Sequence, residues 1–279
     1  MTRLRIGVLS ALLALLAVAP TPGHAWGDKT HPAIVRLAIE TLPQDVAAEF
    51  RRHGKALERF SNEPDNVLRR KHGREESIRH YINLDGYMPA PFVGFPRTYK
   101  AAVEKIGKAK VEKYGVLPWV ILRKQRELQR SLGDRDGTQW VRDAGHLAHY
   151  VGDAYQPLHL TRNFDGQFTG SKGIHRRYEN DVADAHIRAY EKAIRPSLAR
   201  ATVPVDMRRD VFDALFATYP KCDPILAADV QARRRGRVSS AAYRDALESE
   251  LDSLTREQLR DSAVMLGNLW LASWRGAGR

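Results

Sequence analysis

Residues 149–159 read His149-Tyr150-Val151-Gly152-Asp153-Ala154-Tyr155-Gln156-Pro157-Leu158-His159, with three metal-competent side chains in one short run. Four residues apart, His149 and Asp153 share one face of a helix, about one turn from each other. Pro157 lacks an N–H and restricts the residue before it, so the helix stops there. His159 then stands just past the helix end, able to turn toward a second ion. A histidine with a carboxylate suits zinc or another borderline divalent metal better than calcium. Upstream, Trp140, Ala144, Leu147 and Val151 recur at i, i+4, i+7 and i+11 and form one apolar stripe. At about 100° per residue, His149 and Asp153 fall nearly opposite that stripe. A helix over about 138–155 with core on one face and chemistry on the other must be buried on both. An isolated H-x3-D pair is more often a satisfied histidine beside a surface aspartate, so the surroundings carry the decision.

Working outward, nearly every segment has helical periodicity. Pro32 suits a first helical turn, and Ile34, Val35, Ala38 and Leu42 supply an apolar face. Pro43 restarts an amphipathic stretch through Val46, Phe50, Leu57 and Phe60. Residues 63–74 are charged and irregular, expected as loop with a short helix. Asp85-Gly86-Tyr87 followed by Pro89, Pro91, Gly94 and Pro96 reads as a long exposed connection. Helices are expected again over about 99–113 and 118–132. After a glycine-rich loop (165–173) come a helix over 175–194 ended by Pro196, then amphipathic stretches over about 206–233 and 239–274. No sustained period-2 alternation is present, so the class is all-α. No Ser/Gly- or Pro-rich linker and no internal repeat divides the chain, which predicts one domain over residues 26–279.

The first 25 residues are not read as fold. Arg3 and Arg5 precede an apolar run from Ile6 to Val18, and Gly23-His24-Ala25 places small residues at −3 and −1. That is the pattern of a secretory signal peptide cleaved after Ala25. Its apolar run is shorter than the roughly 20 residues a membrane-spanning helix needs. The expectation is an exported protein, periplasmic or extracellular, that begins with Trp26. The single cysteine, Cys222, allows no internal disulfide, so metal ligation is the candidate for tying down loops. Net charge is +12, from 45 Lys and Arg against 33 Asp and Glu. Such a balance favours anionic partners: nucleic acid, phospholipid headgroups or other phosphate esters. The densest patch, Arg233-Arg234-Arg235-Gly236-Arg237, reads as a solvated loop between helices.

Further chemistry lies outside the central stretch. His31 follows Trp26 by five residues at a helix start, and Asp65 sits in Asn62-Glu63-Pro64-Asp65-Asn66. His80 opens His80-Tyr81-Ile82-Asn83, and His175 and Glu179 form a second i,i+4 pair. With these residues in this order, the chain resembles the zinc-dependent phospholipase C and S1/P1 nuclease superfamily, secreted all-helical enzymes that carry three zinc ions. The resemblance covers residues from Trp26 to about Asn180. It rests on the Trp that follows the signal, on H-Y-x-G-D-x-x-x-P-x-H and on H-x-x-x-E.

The resemblance implies a ligand set. Trp26, through its α-amino nitrogen and carbonyl oxygen, would share one zinc with His31. Asp153 would bridge that zinc to a second one held also by Asp65, His80 and His149. His159, His175 and Glu179 would hold the third, with positions left open as in catalytic rather than structural zinc. The implied reaction is phosphoester hydrolysis by in-line attack of a metal-activated water, which Asp65 would orient or deprotonate. Of the remaining histidines, His24 lies in the leader, while His53, His72 and His186 lack ligand spacing. His146 has a structural role as its default.

Departures from the family bear on the substrate. Ala154 and Tyr155 follow Asp153 where the phospholipases prefer an aliphatic and a small polar residue. Lys29 stands three after Trp26, where choline-preferring enzymes have an acid; Asn66 follows Asp65, and Ser77 lies three before His80. These residues argue against phosphatidylcholine as the preferred lipid. The Gly173-to-Asn180 stretch resembles the phospholipase branch, which would release diacylglycerol. The alternative is an S1/P1-type single-strand nuclease yielding 5′-nucleotides, with Tyr81 stacking on a base and Asn83 bonding it. Candidate substrate contacts are therefore Lys29, Asn66, Tyr81 and Asn83. The expected partner is a phospholipid or other phosphodiester at a membrane surface, or nucleic acid; no obligate protein partner is evident and a monomer is expected.

Overall fold

Three helices begin at side chains that cap their first free N–H groups. Thr98 accepts from Ala101 N (3.1 Å), Asp206 from Arg209 N (3.0 Å) and Ser240 from Tyr243 N (3.2 Å). They belong to a computed structural model that describes residues 26–134 and 137–279 and contains, among these, helices and connections but no strand. The chain is all-α, as its periodicity implies. The expected signal peptide, residues 1–25, lies outside the described residues.

The central helix spans Gln139–Ala154, and nearly all its residues are buried. It packs against the helices Leu117–Gly133, Gly54–Ser61 and Ala241–Gly276, and more lightly against Thr30–Thr41. Trp140, Ala144, Leu147 and Val151 enter the core while His149 and Asp153 are equally enclosed on the other side. One hydrophobic core runs from Trp26 to Leu271. Among the described residues, no helix is long and apolar enough to cross a membrane.

Five segments differ from their sequence reading; one is the 206–233 stretch, which is two helices, Met207–Thr218 and Cys222–Arg233, joined by a 3-10 turn at Tyr219–Lys221. The stretch through Phe50 and Phe60 is two helices, Gln44–Arg52 and Gly54–Ser61, broken at His53. Residues 64–68 form a π-helical turn that runs into a short α-helix, Arg69–His72, rather than a loop. Gly107 divides the 99–113 helix into Tyr99–Ile106 and Lys108–Tyr114, with a φ of +83° that side-chain-bearing residues rarely adopt. The proline-rich connection is not wholly exposed: Phe92 and Phe95 are buried against Phe216, Tyr219 and Phe212. Aromatic burial outweighs the turn chemistry of the prolines around them. The arginine run at 233–237 does lie at a helix end and in the loop after it, with its arginines exposed.

The C-terminal helix Ala241–Gly276 holds the central helix from behind. Trp270 donates its indole N–H to Ala144 O (3.3 Å), and Gln258 Nε2 donates to Tyr155 O (2.8 Å) at the central helix's C-terminal end. Cys222 is buried, and its thiol donates to Pro157 O (2.9 Å). That contact steadies the turn Pro157–Leu160 which carries His159.

Candidate metal centre

His31 is the second residue of the helix Thr30–Thr41 and is fully enclosed. Its Nε2 lies 3.6 Å from Asp153 Oδ1, and its ring stacks on His149 with centroids 4.1 Å apart. Neither ring nitrogen of His31 has a hydrogen-bond partner, nor does Asp153 Oδ1. Each such buried polar atom costs about 1–3 kcal/mol unless something satisfies it. Gly152 permits the approach, since a Cβ there would stand 2.8 Å from His31 Nδ1 and 3.2 Å from Ile34 Cδ1. Trp26 packs on the same turn: its indole N–H donates to Gly152 O (2.8 Å) and its ring meets Tyr178 at 5.3 Å. Asp184 fixes the chain between Trp26 and His31 by accepting from Lys29 N (3.2 Å) and Thr30 Oγ1 (2.6 Å).

A second cluster adjoins the first. His80 Nδ1 lies 3.1 Å from Asp153 Oδ2, 3.5 Å from Asp65 Oδ1 and 2.9 Å from His149 Nε2. His149 Nε2 is in turn 3.4 Å from Asp153 Oδ2 and 4.0 Å from Asp65 Oδ2. The Ser61 carbonyl accepts from His149 Nδ1 (2.7 Å), which leaves Nε2 as the lone-pair nitrogen facing the carboxylates. Asp65 comes from the π-helical turn, where Arg69 holds its Oδ1 at 2.8 Å. Glu76, which the sequence reading did not select, is wholly buried behind His80. It lies 3.5 Å from His80 Nε2, is bound by Arg79 at 2.6 Å and accepts from the Tyr150 hydroxyl.

The electrostatics follow. Burial works to lower the His80 pKa, but Asp153 and Glu76 outweigh it and lift the value to about 9. Burial, with His31 and His80 beside it, pushes His149 well below the ordinary histidine value. Burial likewise lowers His31, against the pull of Asp153 and Asp65. The carboxylates that keep a proton on His80 offer the negative charge a divalent cation needs. His31 and His149 are already in the neutral form that binds metals.

The third cluster is His159, His175 and Glu179. His175 Nε2 lies 2.7 Å from Glu179 Oε1 and 3.2 Å from His159 Nε2, which is 3.4 Å from the same carboxylate oxygen. Both Nδ1 atoms are engaged by carbonyls, His159 by His80 O (2.7 Å) and His175 by Phe164 O (3.2 Å), so both Nε2 atoms turn inward. Burial alone would raise Glu179, but His175 and His159 bring it down to about 2. Gln156, to which the sequence reading gives no role, donates to Glu179 Oε1 at 2.7 Å. His159 Nδ1 is 3.7 Å from Asp153 Oδ1, so the third cluster adjoins the first two.

The ligand-bearing segments share a backbone feature. Both π-helical stretches among the described residues carry a candidate ligand: Asp65 in Pro64–Leu68 and Glu179 in Arg177–Asp184. An extra residue per turn re-aims a side chain without breaking the helix, and such turns occur often at functional sites.

Three sets of buried groups can each hold a metal ion: His31 with His149 and Asp153, Asp65 with His80 and His149, and His159 with His175 and Glu179. Every side-chain ligand read from the sequence is in one of them, and Trp26 lies against the turn that carries Asp153. The donor chemistry fits zinc, with imidazole and carboxylate at each set. His146 stays outside, bonded through Nε2 to Glu63 (2.9 Å).

The four substrate-contact candidates fall in two pairs, Lys29 and Asn66 about Asp28, and Tyr81 and Asn83 against residues 113–114. Lys29 is exposed near Asp184; Asn66 Nδ2 donates to Asp28 Oδ1 (3.3 Å). Tyr81 turns its hydroxyl to Lys113 O (3.4 Å), and Asn83 uses its backbone N–H on Tyr114 O (2.7 Å).

Fold and site together define an all-helical protein with three adjoining buried histidine–carboxylate clusters that can hold metal ions. Comparison with protein-family models finds no match, and comparison with curated proteins finds none either.

Proposed function

We propose that this chain is an exported trizinc phosphodiesterase of the phospholipase C type, which releases diacylglycerol from phospholipids. The observation that supports it most is the unpartnered set of His31 ring nitrogens and Asp153 Oδ1, buried where two clusters meet. Apolar or merely structural histidines would not be left so, and the order of the ligands matches the family the sequence resembles. His31, His149, His80, Asp65 and Asp153, with the Trp26 terminus, would hold two ions; His159, His175 and Glu179 would hold the third. Bound there, zinc supplies Lewis-acid charge and an activated water near neutral pH.

The protein's own groups do the rest. Asp65, kept in place by Arg69, is set to orient the attacking water or take its proton. Asp153, buried on the central helix between His31 and His80, would set the spacing of the first two clusters. The carbonyls of Ser61, His80 and Phe164 lock the rings of His149, His159 and His175, so little reorganisation is needed during turnover.

One product assay tests the reading. Zinc-loaded processed protein is offered mixed phospholipids and single-stranded nucleic acid, and diacylglycerol and 5′-mononucleotides are measured. Diacylglycerol alone is expected; mononucleotides alone would replace this reading with the single-strand nuclease.

A further inference from the structure

Tyr150 follows His149 in the central stretch and belongs to no candidate ligand set, yet it is wholly buried and its hydroxyl donates to Glu76. Glu76 is itself fully enclosed, on the short helix Arg74–Ser77 that leads to His80. A carboxylate is costly to take out of water unless charged and hydrogen-bonding groups meet it. Three groups do so here. Arg79 Nη1 binds Oε2 at 2.6 Å, the Tyr150 hydroxyl binds Oε1, and His80 Nε2 lies 3.5 Å from that same oxygen. Arg79 does not cancel the charge alone, because its Nη2 also serves Glu75 at 2.5 Å. One guanidinium between two carboxylates leaves the trio negative. Glu75 is exposed, so Glu76 is the acid whose charge is felt at His80.

His80 is set differently from the other histidines that face a neighbouring cluster. His149, His159 and His175 engage carbonyl oxygens through Nδ1 and turn Nε2 inward. His80 does the reverse. Its Nδ1 points at Asp153 (3.1 Å) and Asp65 (3.5 Å), while its Nε2 makes no hydrogen bond within the protein and stands against a carboxylate. A histidine ligates a metal ion through the ring nitrogen that has no proton, so the other nitrogen must carry one. A carboxylate behind Nε2 favours the proton there and leaves Nδ1 free. Its charge also raises the basicity of the ring more than a neutral carbonyl does.

We propose that Glu76 is a positioning residue of the second cluster: anchored by Tyr150 and Arg79, it holds the proton on His80 Nε2 and so presents Nδ1 to a metal ion beside Asp65, Asp153 and His149. This rests on the metal-centre reading, and metal binding can be measured without turnover.

The test withdraws zinc from processed, loaded protein with a graded chelator and counts the ions left by elemental analysis. Cobalt(II) in place of zinc gives the sites a visible absorption. His80→Ala identifies the second site by the ion and the absorption it lacks. Glu76→Gln should hold that same ion about 10–100-fold more weakly, with an altered cobalt spectrum. Its amide N–H can donate to Nε2 and shift the proton to Nδ1. The other two ions should stay as in wild type. Glu75→Gln removes the same charge from the other side of Arg79 and should leave all three unchanged. Tyr150→Phe keeps the carboxylate but removes an anchor, and should weaken the second site a few-fold; it decides the matter where Glu76→Gln does not fold. Wild-type affinity and cobalt spectrum in Glu76→Gln, with only the melting temperature of the metal-free protein lowered, would make Glu76 structural and overturn the proposal. So would an equal loss in Glu75→Gln, a loss spread over all three sites, or wild-type binding by Tyr150→Phe. No zinc bound by wild type overturns both this proposal and the trizinc reading. The expected pattern without hydrolysis of bis(p-nitrophenyl) phosphate leaves Glu76 in its role and sinks the phosphodiesterase reading alone.

Discussion

His31 stacks on His149 with ring centroids 4.1 Å apart, deep in the protein, and neither nitrogen of His31 has a hydrogen-bond partner. Two imidazoles in that position cannot both carry charge, and burial holds each below the ordinary histidine value. Neutral, oriented and unpartnered imidazole is the form that ligates metal. The arrangement makes sense as a ligand pair and is expensive as anything else.

Asp153 faces both His31 and His80, whereas His159 belongs to the third cluster. Asp153→Asn should therefore lower the content of two ions together, and His159→Ala that of one. Elemental analysis of the purified variants checks this. Loss of a single ion in both would show that Asp153 does not bridge.

The ligand role given to Trp26 requires its free α-amino group, and its indole is already fixed on Gly152 O. Retaining even one residue before Trp26 should weaken one metal site and reduce phosphodiester hydrolysis. Comparing metal content and turnover of trimmed and extended protein reads this directly; equal values would remove Trp26 from the ligand set.

Gly152→Ala would put a methyl 2.8 Å from His31 Nδ1 and 3.0 Å from its Cε1. Overpacking of this kind costs about 1–3 kcal/mol. Thermal melts should show that loss, and metal titration should show weaker binding at the cluster that contains His31. A variant as stable as wild type, with unchanged metal content, would mean that His31 can move without consequence.

Asp229 is buried between Arg177 Nη2 (2.8 Å) and Arg233 Nε (2.7 Å), with the Tyr243 hydroxyl also bound to it. Burial would raise its pKa, but these partners outweigh burial and depress it. A depressed carboxylate stabilises the fold fully above its unfolded value near ~4, and loses that contribution as pH falls through the folded value. Asp229→Asn should cost about 3 kcal/mol or more at pH 7, because it leaves buried guanidinium uncompensated. Urea melts of both proteins should begin to approach one another below about pH 4 and converge only once pH has fallen below the depressed folded value. A gap that persists in acid would assign the stabilisation to packing.

Much of this was legible beforehand. The i,i+4 pair His149 and Asp153 and the stripe opposite it required both faces of one helix to be enclosed, and both are. Asp65 was selected without its backbone, because a π-turn differs from irregular loop only through hydrogen bonds that composition does not record. Glu76 was missed although it lies four before His80, since Glu-x-x-x-His on a charged helix looks the same as a solvated pair. Its burial under Tyr150 depends on tertiary packing alone. Gln156 and Asp184 carry no spacing signal, because each acts on a partner brought near by a loop or a distant helix. Phe92 and Phe95 went inward against their prolines because Phe212 and Phe216 lie far along the chain, beyond any local window.

The helix Ala241–Gly276 contributes no candidate ligand, yet it grips the central helix at Ala144 and beyond its end at Tyr155. With a rise of about 1.5 Å per residue it is a rigid bar longer than any other element. Between those two grips lie His149 and Asp153. The spacing of the candidate ligands is thus gauged by a part of the chain that supplies none of them. Shortening that bar by a few turns would detune the site from its far side, with every ligand still in the sequence.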